Sequence, residues 1–240
     1  MTKSTKLDYK KYRYNIMLDI NRDAWNWYAS CNRSSHGVNW GQKISDDIVN
    51  EIKGKDETEA KKIIIPFLEK KYVEEASEIE IYKSSINYDY FNNFELTCLK
   101  IVELTNKALY RNDFTIFLTT FPRGPYNYSE GYLYIKIGWQ DPIKLFMHEL
   151  LHFQFIHYWR ENPNSKVHGL SNEQFEWLKE SLTVILDEDL YPLVKSPDKG
   201  YFIHQKFREQ LHSFWKTNND FNKLIGFGLE KLSDFIPSNE

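Results

Sequence analysis

Three residues in one short stretch have the types and the spacing to do chemistry together: His148, Glu149 and His152, within His148-Glu149-Leu150-Leu151-His152. On a helix, residues four apart share a face, so His148 and His152 can offer their imidazoles to one metal ion. Glu149 lies about 100° round from His148, close enough to reach a water on that metal without being a ligand. Paired imidazoles with an adjacent carboxylate are the groups with which a divalent metal site activates water.

That chemistry requires a helix, and the flanking residues specify one. Asp141 suits the N-cap, Pro142 the first helical position, and Asn162-Pro163 a stop. Between them there is no Gly and no Pro, and Ile143, Phe146, Met147, Leu150, Leu151, Phe153 and Phe155 make the helix apolar nearly all round. Such a helix is buried. Two histidines and a glutamate inside it are costly unless something binds them. The alternative is that they are core polar residues hydrogen-bonded to neighbours.

A catalytic zinc takes a third protein ligand and keeps one position for water. His157 lies about 180° round the helix from His148 and points away. His168 would supply a third histidine, but the pattern H-E-x-x-H-x-x-G-x-x-H fails, with Phe155 and Tyr158 where Gly and His are needed. Ser171-Asn-Glu-Gln174 is a capping box, and it opens a helix expected to run to about Asp189, before Tyr191-Pro192. That helix carries Glu173, Glu176 and Glu180 on one face. Glu180 is the best placed, because it sits mid-helix and the six residues after it carry no charge. Glu173 and Glu176 remain as alternatives, although the helix dipole alone accounts for acidic residues so near an N-terminus.

His148-Glu-Leu-Leu-His152 followed by Trp177-Leu-Lys-Glu-Ser181 resembles the gluzincin zinc metallopeptidases, over roughly residues 112–190. The resemblance implies that His148, His152 and Glu180 ligate zinc and that Glu149 is the general base in peptide-bond hydrolysis. It implies a zincin-like fold, in which an edge strand just before the metal helix pairs with extended substrate; Gly131 to Gly138 occupies that place. An oxyanion donor should come from downstream, where Tyr191, Tyr201, His204 and His168 are candidates. This chain departs from the pattern in a longer inter-helix loop. It also has Thr183 or Val184 where an acidic residue often follows the glutamate by one turn. A zincin-fold protein that binds zinc without peptidase activity is the second reading, and this donor set also accepts other divalent metals.

The elements around this site read as α+β, with a small mixed or antiparallel sheet and a mainly helical C-terminal part. We expect one domain over 1–240, in three parts. Residues 1–110 are mainly helical, with a strand over 12–20 and helices over 21–30, 44–53, 56–77 (kinked or divided at Pro66) and 90–110. Residues 111–160 supply strands at 113–121 and 131–138 and the metal helix. Residues 161–240 add the Glu180 helix and helices over about 202–216 and 219–232. His36, in the loop from Ser34 to Gly41, reads as a solvated histidine. Aromatics make up 16% of the chain, so core and cleft should be rich in them.

The formal net charge of −3 and the lack of a dominant basic patch speak against nucleic acid, and the gluzincin resemblance implies a peptide or protein substrate as partner. Cys31 and Cys98 lie outside any C-x-x-C pattern and read as reduced thiols. Met1 to Lys10 has no apolar run behind it, and no stretch approaches the roughly 18 residues of a membrane span. The expected setting is therefore cytoplasmic.

Overall fold

The computed structural model describes residues 11–31, 33–43 and 46–236. Residues 1–10, read above for a secretory segment, lie outside the described residues, as do 44 and 45 at the start of the helix expected over 44–53. In chain order, β1 (Arg13–Leu18) runs into α1 (Ile20–Cys31), and β2 (Ser34–Ser35) pairs with β3 (Val38–Asn39) in a small hairpin. Then come α2 (Asp46–Ile52), α3 (Glu57–Glu74) and α4 (Ala76–Thr105). The second half holds β4 (Asp113–Thr119), β5 (Tyr126–Asn127), β6 (Tyr132–Lys136), α5 (Pro142–Phe155), α6 (Asn172–Leu182), α7 (Gln205–Asn218) and α8 (Phe221–Lys231).

The main sheet has the order β1-β4-β6-β5, with β1, β4 and β6 parallel and β5 antiparallel to β6. The fold is thus mixed α+β with a small mixed sheet. Side chains alternate across a strand, and here both faces are covered. Phe114, Ile116 and Leu118 of β4 join Leu133 and Ile135 of β6 in the main core with α4 and α5. On the opposite face Phe117, Tyr132 and Tyr134 pack with Trp25 of α1. Tyr90, Phe94, Cys98 and Ile101 recur every three or four residues along α4 and are buried. Phe94 meets Phe146 of α5 with ring centroids 5.0 Å apart, so α5 is fixed against a long, rigid neighbour.

Four expectations change. The strand before α5 is not the edge strand: β6 is flanked by β4 and β5, and β5 with its Pro122–Pro125 lead-in forms the edge. Pro and Gly mark that stretch as a break, yet an edge tolerates the N–H that Pro lacks. The helix expected from residue 90 begins at Ala76, because Ile79 and Ile86, one heptad apart, are the only residues buried along its first three turns. Pro66 does not divide α3, which is continuous through it. The helix opened by Ser171 ends at Leu182, and short 3-10 turns (Thr183–Ile185, Glu188–Leu190) replace its last turns. Among the described residues no helix is long and apolar enough to cross a membrane.

Candidate functional site

The ends of two helices are set by local hydrogen bonds. Asp141 accepts from the Lys144 N–H at the start of α5, with Pro142 in the first turn. At the start of α6 the Gln174 N–H donates to Ser171 Oγ, and the Ser171 N–H donates to Gln174 Oε1. These helices then meet at three side chains. Glu180 Oε1 lies 3.3 Å from His152 Nε2, and Glu180 Oε2 lies 3.6 Å from His148 Nε2. One ligand atom from each of the three residues lies within 4.8 Å of the others.

The set fits a single cation. His152 is buried, and neither of its ring nitrogens has a hydrogen-bond partner among the described residues, so its approach to Glu180 is close without being a hydrogen bond. A buried imidazole without partners is costly unless something binds it. Burial pushes His152 down to about 3, which keeps the ring neutral and its lone pair available. Burial opposes the charged form of Glu180 too, but interactions with its neighbours, the Lys179 ammonium 3.2 Å away among them, hold its carboxyl well below the usual range. Comparison with family models, curated proteins and solved structures gives no match.

Beside the three donors, Glu149 is 6% exposed and its Oε2 is buried with no hydrogen-bond partner among the described residues. Burial pushes its carboxyl up to about 7, against the pull of His148. His148 is oriented from behind, since its Nδ1 lies 2.7 Å from Asp198 Oδ2. Asp198 is itself tied down: Arg208 Nη2 donates to Oδ1 at 3.1 Å and the Gly200 N–H at 2.9 Å. Burial works against the Asp198 carboxylate, but His148 and Arg208 prevail and hold it at about 2. Thr183 is joined to the same cluster by accepting from Arg208 Nη1 at 2.7 Å. Asp198 thus orients His148 from a loop distant in sequence.

A second cluster adjoins the first. Lys179 is 3% exposed, and its ammonium sits 3.2 Å from Glu180 Oε1, donates to Glu176 Oε2 at 2.7 Å and donates to the Tyr126 hydroxyl at 2.7 Å. His36 is not the solvated loop residue expected. Its ring stacks on Tyr201 with centroids 4.5 Å apart, and its Nε2 lies 3.8 Å from Glu176 Oε2. The cause is the β2–β3 hairpin, whose turn holds His36 at φ 50° and Gly37 at φ 75° and folds this loop over the cleft. Glu176 thus meets His36 and Lys179 rather than the paired histidines, and Glu173 is exposed.

The cleft beside these groups has a volume of about 320 Å³, walled by Trp25, Trp40, Pro125, Tyr126 and Tyr201. Of the oxyanion candidates only Tyr201 lines it. His204 is buried one layer back, stacked on Trp177 with its Nδ1 3.2 Å from Ser181 Oγ. Tyr191 is 74% exposed elsewhere, and His168 Nδ1 meets the Arg160 carbonyl on the surface. His157 pairs with the Tyr128 hydroxyl at 2.6 Å, away from the site as its angle implied.

The α1 helix fixes the edge that faces the cleft. Buried Asp23 accepts from Thr119 Oγ1, from the Thr120 N–H and hydroxyl, and from the Tyr72 hydroxyl. Asn26 Nδ2 donates to Thr119 Oγ1 and to the Arg123 carbonyl, each at 2.9 Å. Asp23, Asn26 and Thr119, buried together in one network, are explained by what they hold: the turn from β4 into β5.

Proposed function

We propose that this protein is a gluzincin-like zinc metallopeptidase. The observation that carries this reading is the convergence of His148, His152 and Glu180 from two helices, with the unpartnered Glu149 carboxylate beside them at an open cleft. Two imidazoles and one carboxylate suit zinc and leave room for a reacting group. His148, His152 and Glu180 would hold the zinc, which would supply Lewis acidity towards a water and the scissile carbonyl.

The chain's own residues do the rest. Glu149 Oε2 takes the proton of the attacking water and delivers it to the leaving amine, a role suited to a carboxyl whose proton affinity burial has raised towards neutrality. Asp198 keeps a proton on His148 Nδ1, which leaves Nε2 as the ligating nitrogen. Among the downstream candidates Tyr201, which lines the cleft, would steady the oxyanion. Extended peptide lies along β5, whose outer edge has no strand beside it among the described residues.

The test is hydrolysis of a mixed peptide library by zinc-loaded wild type and Glu149→Gln. Cleavage that collapses in the variant, with zinc content unchanged, supports the peptidase. Full cleavage by Glu149→Gln overturns the mechanism. Stoichiometric zinc with no cleavage of any peptide favours the zinc-binding reading instead.

A further inference from the structure

Next to the ligand set the cleft holds two guanidinium groups that no carboxylate among the described residues meets in a close ion pair, although the charge of Glu149 reaches Arg123 through space. Arg33 and Arg123 both line it, and neither forms an ion pair there. Arg33 is exposed and Arg123 half-buried, whereas the buried cations are matched, Lys179 to Glu176 and Glu180, and Arg208 to Asp198. The Arg123 side chain makes a single hydrogen bond among the described residues, from Nη1 to Ser30 Oγ at 3.2 Å, although a guanidinium carries five N–H donors. Burial and the charge of Arg33 both weaken its hold on its proton, to about 10, and it stays charged at neutral pH.

The backbone that carries this guanidinium is closely held. Its own carbonyl is held by Asn26, Ser30 is in turn bonded to Asn26, and Gly124 lies so close to β6 that a Cβ there would be 2.6 Å from the Tyr134 carbonyl oxygen. Two like charges in a half-buried cleft repel each other, and an anion between them relieves that cost. A planar fork of donors matches a carboxylate in two-point contact.

We propose that Arg123 and Arg33 form an anion subsite of the cleft, which selects peptides carrying a carboxylate near the scissile bond. The group is either the chain terminus or an acidic side chain, and the inference rests on the peptidase reading of the adjacent residues.

The test is equilibrium binding to Glu149→Gln protein, which binds substrate without turning it over, of N-acetylated tetrapeptides as free acids or amides and with Glu or Gln at each position. We expect carboxylate-bearing peptides to bind about 10- to 100-fold more tightly than neutral counterparts, the size of a charge-assisted hydrogen-bonded pair. The ratio should fall towards one when Arg123→Gln is added and recover in part with Arg123→Lys, with unchanged melting temperatures as the control for folding. Free acid over amide identifies the terminus; Glu over Gln identifies the side chain. Absence of carboxylate-dependent binding, or a preference that survives Arg123→Gln, overturns the subsite. A preference in a protein that hydrolyses no peptide keeps the subsite and removes the peptidase reading, whereas hydrolysis by wild type without any preference does the reverse.

Discussion

Asp198→Asn separates orientation of a ligand from the ligand itself. Asp198 uses both oxygens: Oδ2 faces His148 Nδ1 at 2.7 Å, while Oδ1 takes the Arg208 and Gly200 N–H groups. Asparagine has one acceptor oxygen, so one side must lose its partner. If the oxygen stays with Arg208 and Gly200, an amide N–H faces His148 Nδ1. The imidazole proton then moves to Nε2, the nitrogen that faces Glu180 and would bind zinc. Removing such a supporting carboxylate typically costs 10- to 100-fold in metal affinity, or about 1.4–2.7 kcal/mol. The assay is zinc competition against a chelator of known affinity, with thermal unfolding of the metal-free proteins alongside. Zinc affinity within about twofold of wild type, in a folded Asp198→Asn protein, would refute the reasoning.

Further outcomes follow from the same geometry. Lys179→Met leaves Glu176 and Glu180 without their buried cation, so the metal-free protein should lose about 3–5 kcal/mol of stability in urea unfolding, and added zinc should restore part of it. In metal-free protein the Glu149 carboxyl is raised from 4.5 to about 7 in the folded state, so the stability it contributes is full below about 4.5 and is lost as pH rises through 7. Glu149→Gln should therefore gain on wild type between pH 5 and pH 8, by up to about 3 kcal/mol, and a constant difference across that range would contradict the assignment. Tyr201→Phe should lower kcat about 10²- to 10³-fold with little change in KM, while Tyr191→Phe and His168→Ala leave peptide cleavage unaffected.

Which parts of this arrangement were legible in the sequence follows from how local each part is. His148, Glu149 and His152 are legible because one helix sets their relation, and the caps of that helix stand in the same stretch. Glu180 is legible because a carboxylate entering an uncharged helical run demands a cation, and the structure brings it to both histidines. Asp198 is not legible, since its partner is distant in sequence and its Pro-Asp-Lys-Gly setting reads as an ordinary turn. His36 looks solvated until the β2–β3 hairpin lays it against α6 and Tyr201. Lys179 stands between Glu176 and Glu180 in the sequence, and its position one helical turn after Glu176 is the signal of their pairing. The edge strand was misplaced because β5 is two residues long and too short for a periodicity to show. The role of α1 rests on Asp23 and Asn26 reaching Thr119 and Arg123, contacts that only the fold creates.

The most direct test of the whole account is the metal content of purified, tag-free protein after zinc is supplied, measured for wild type and Glu180→Ala by elemental analysis. The account predicts about one zinc per wild-type chain and a large loss in the variant. No zinc in the wild type, or equal zinc in both, would contradict the site at His148, His152 and Glu180.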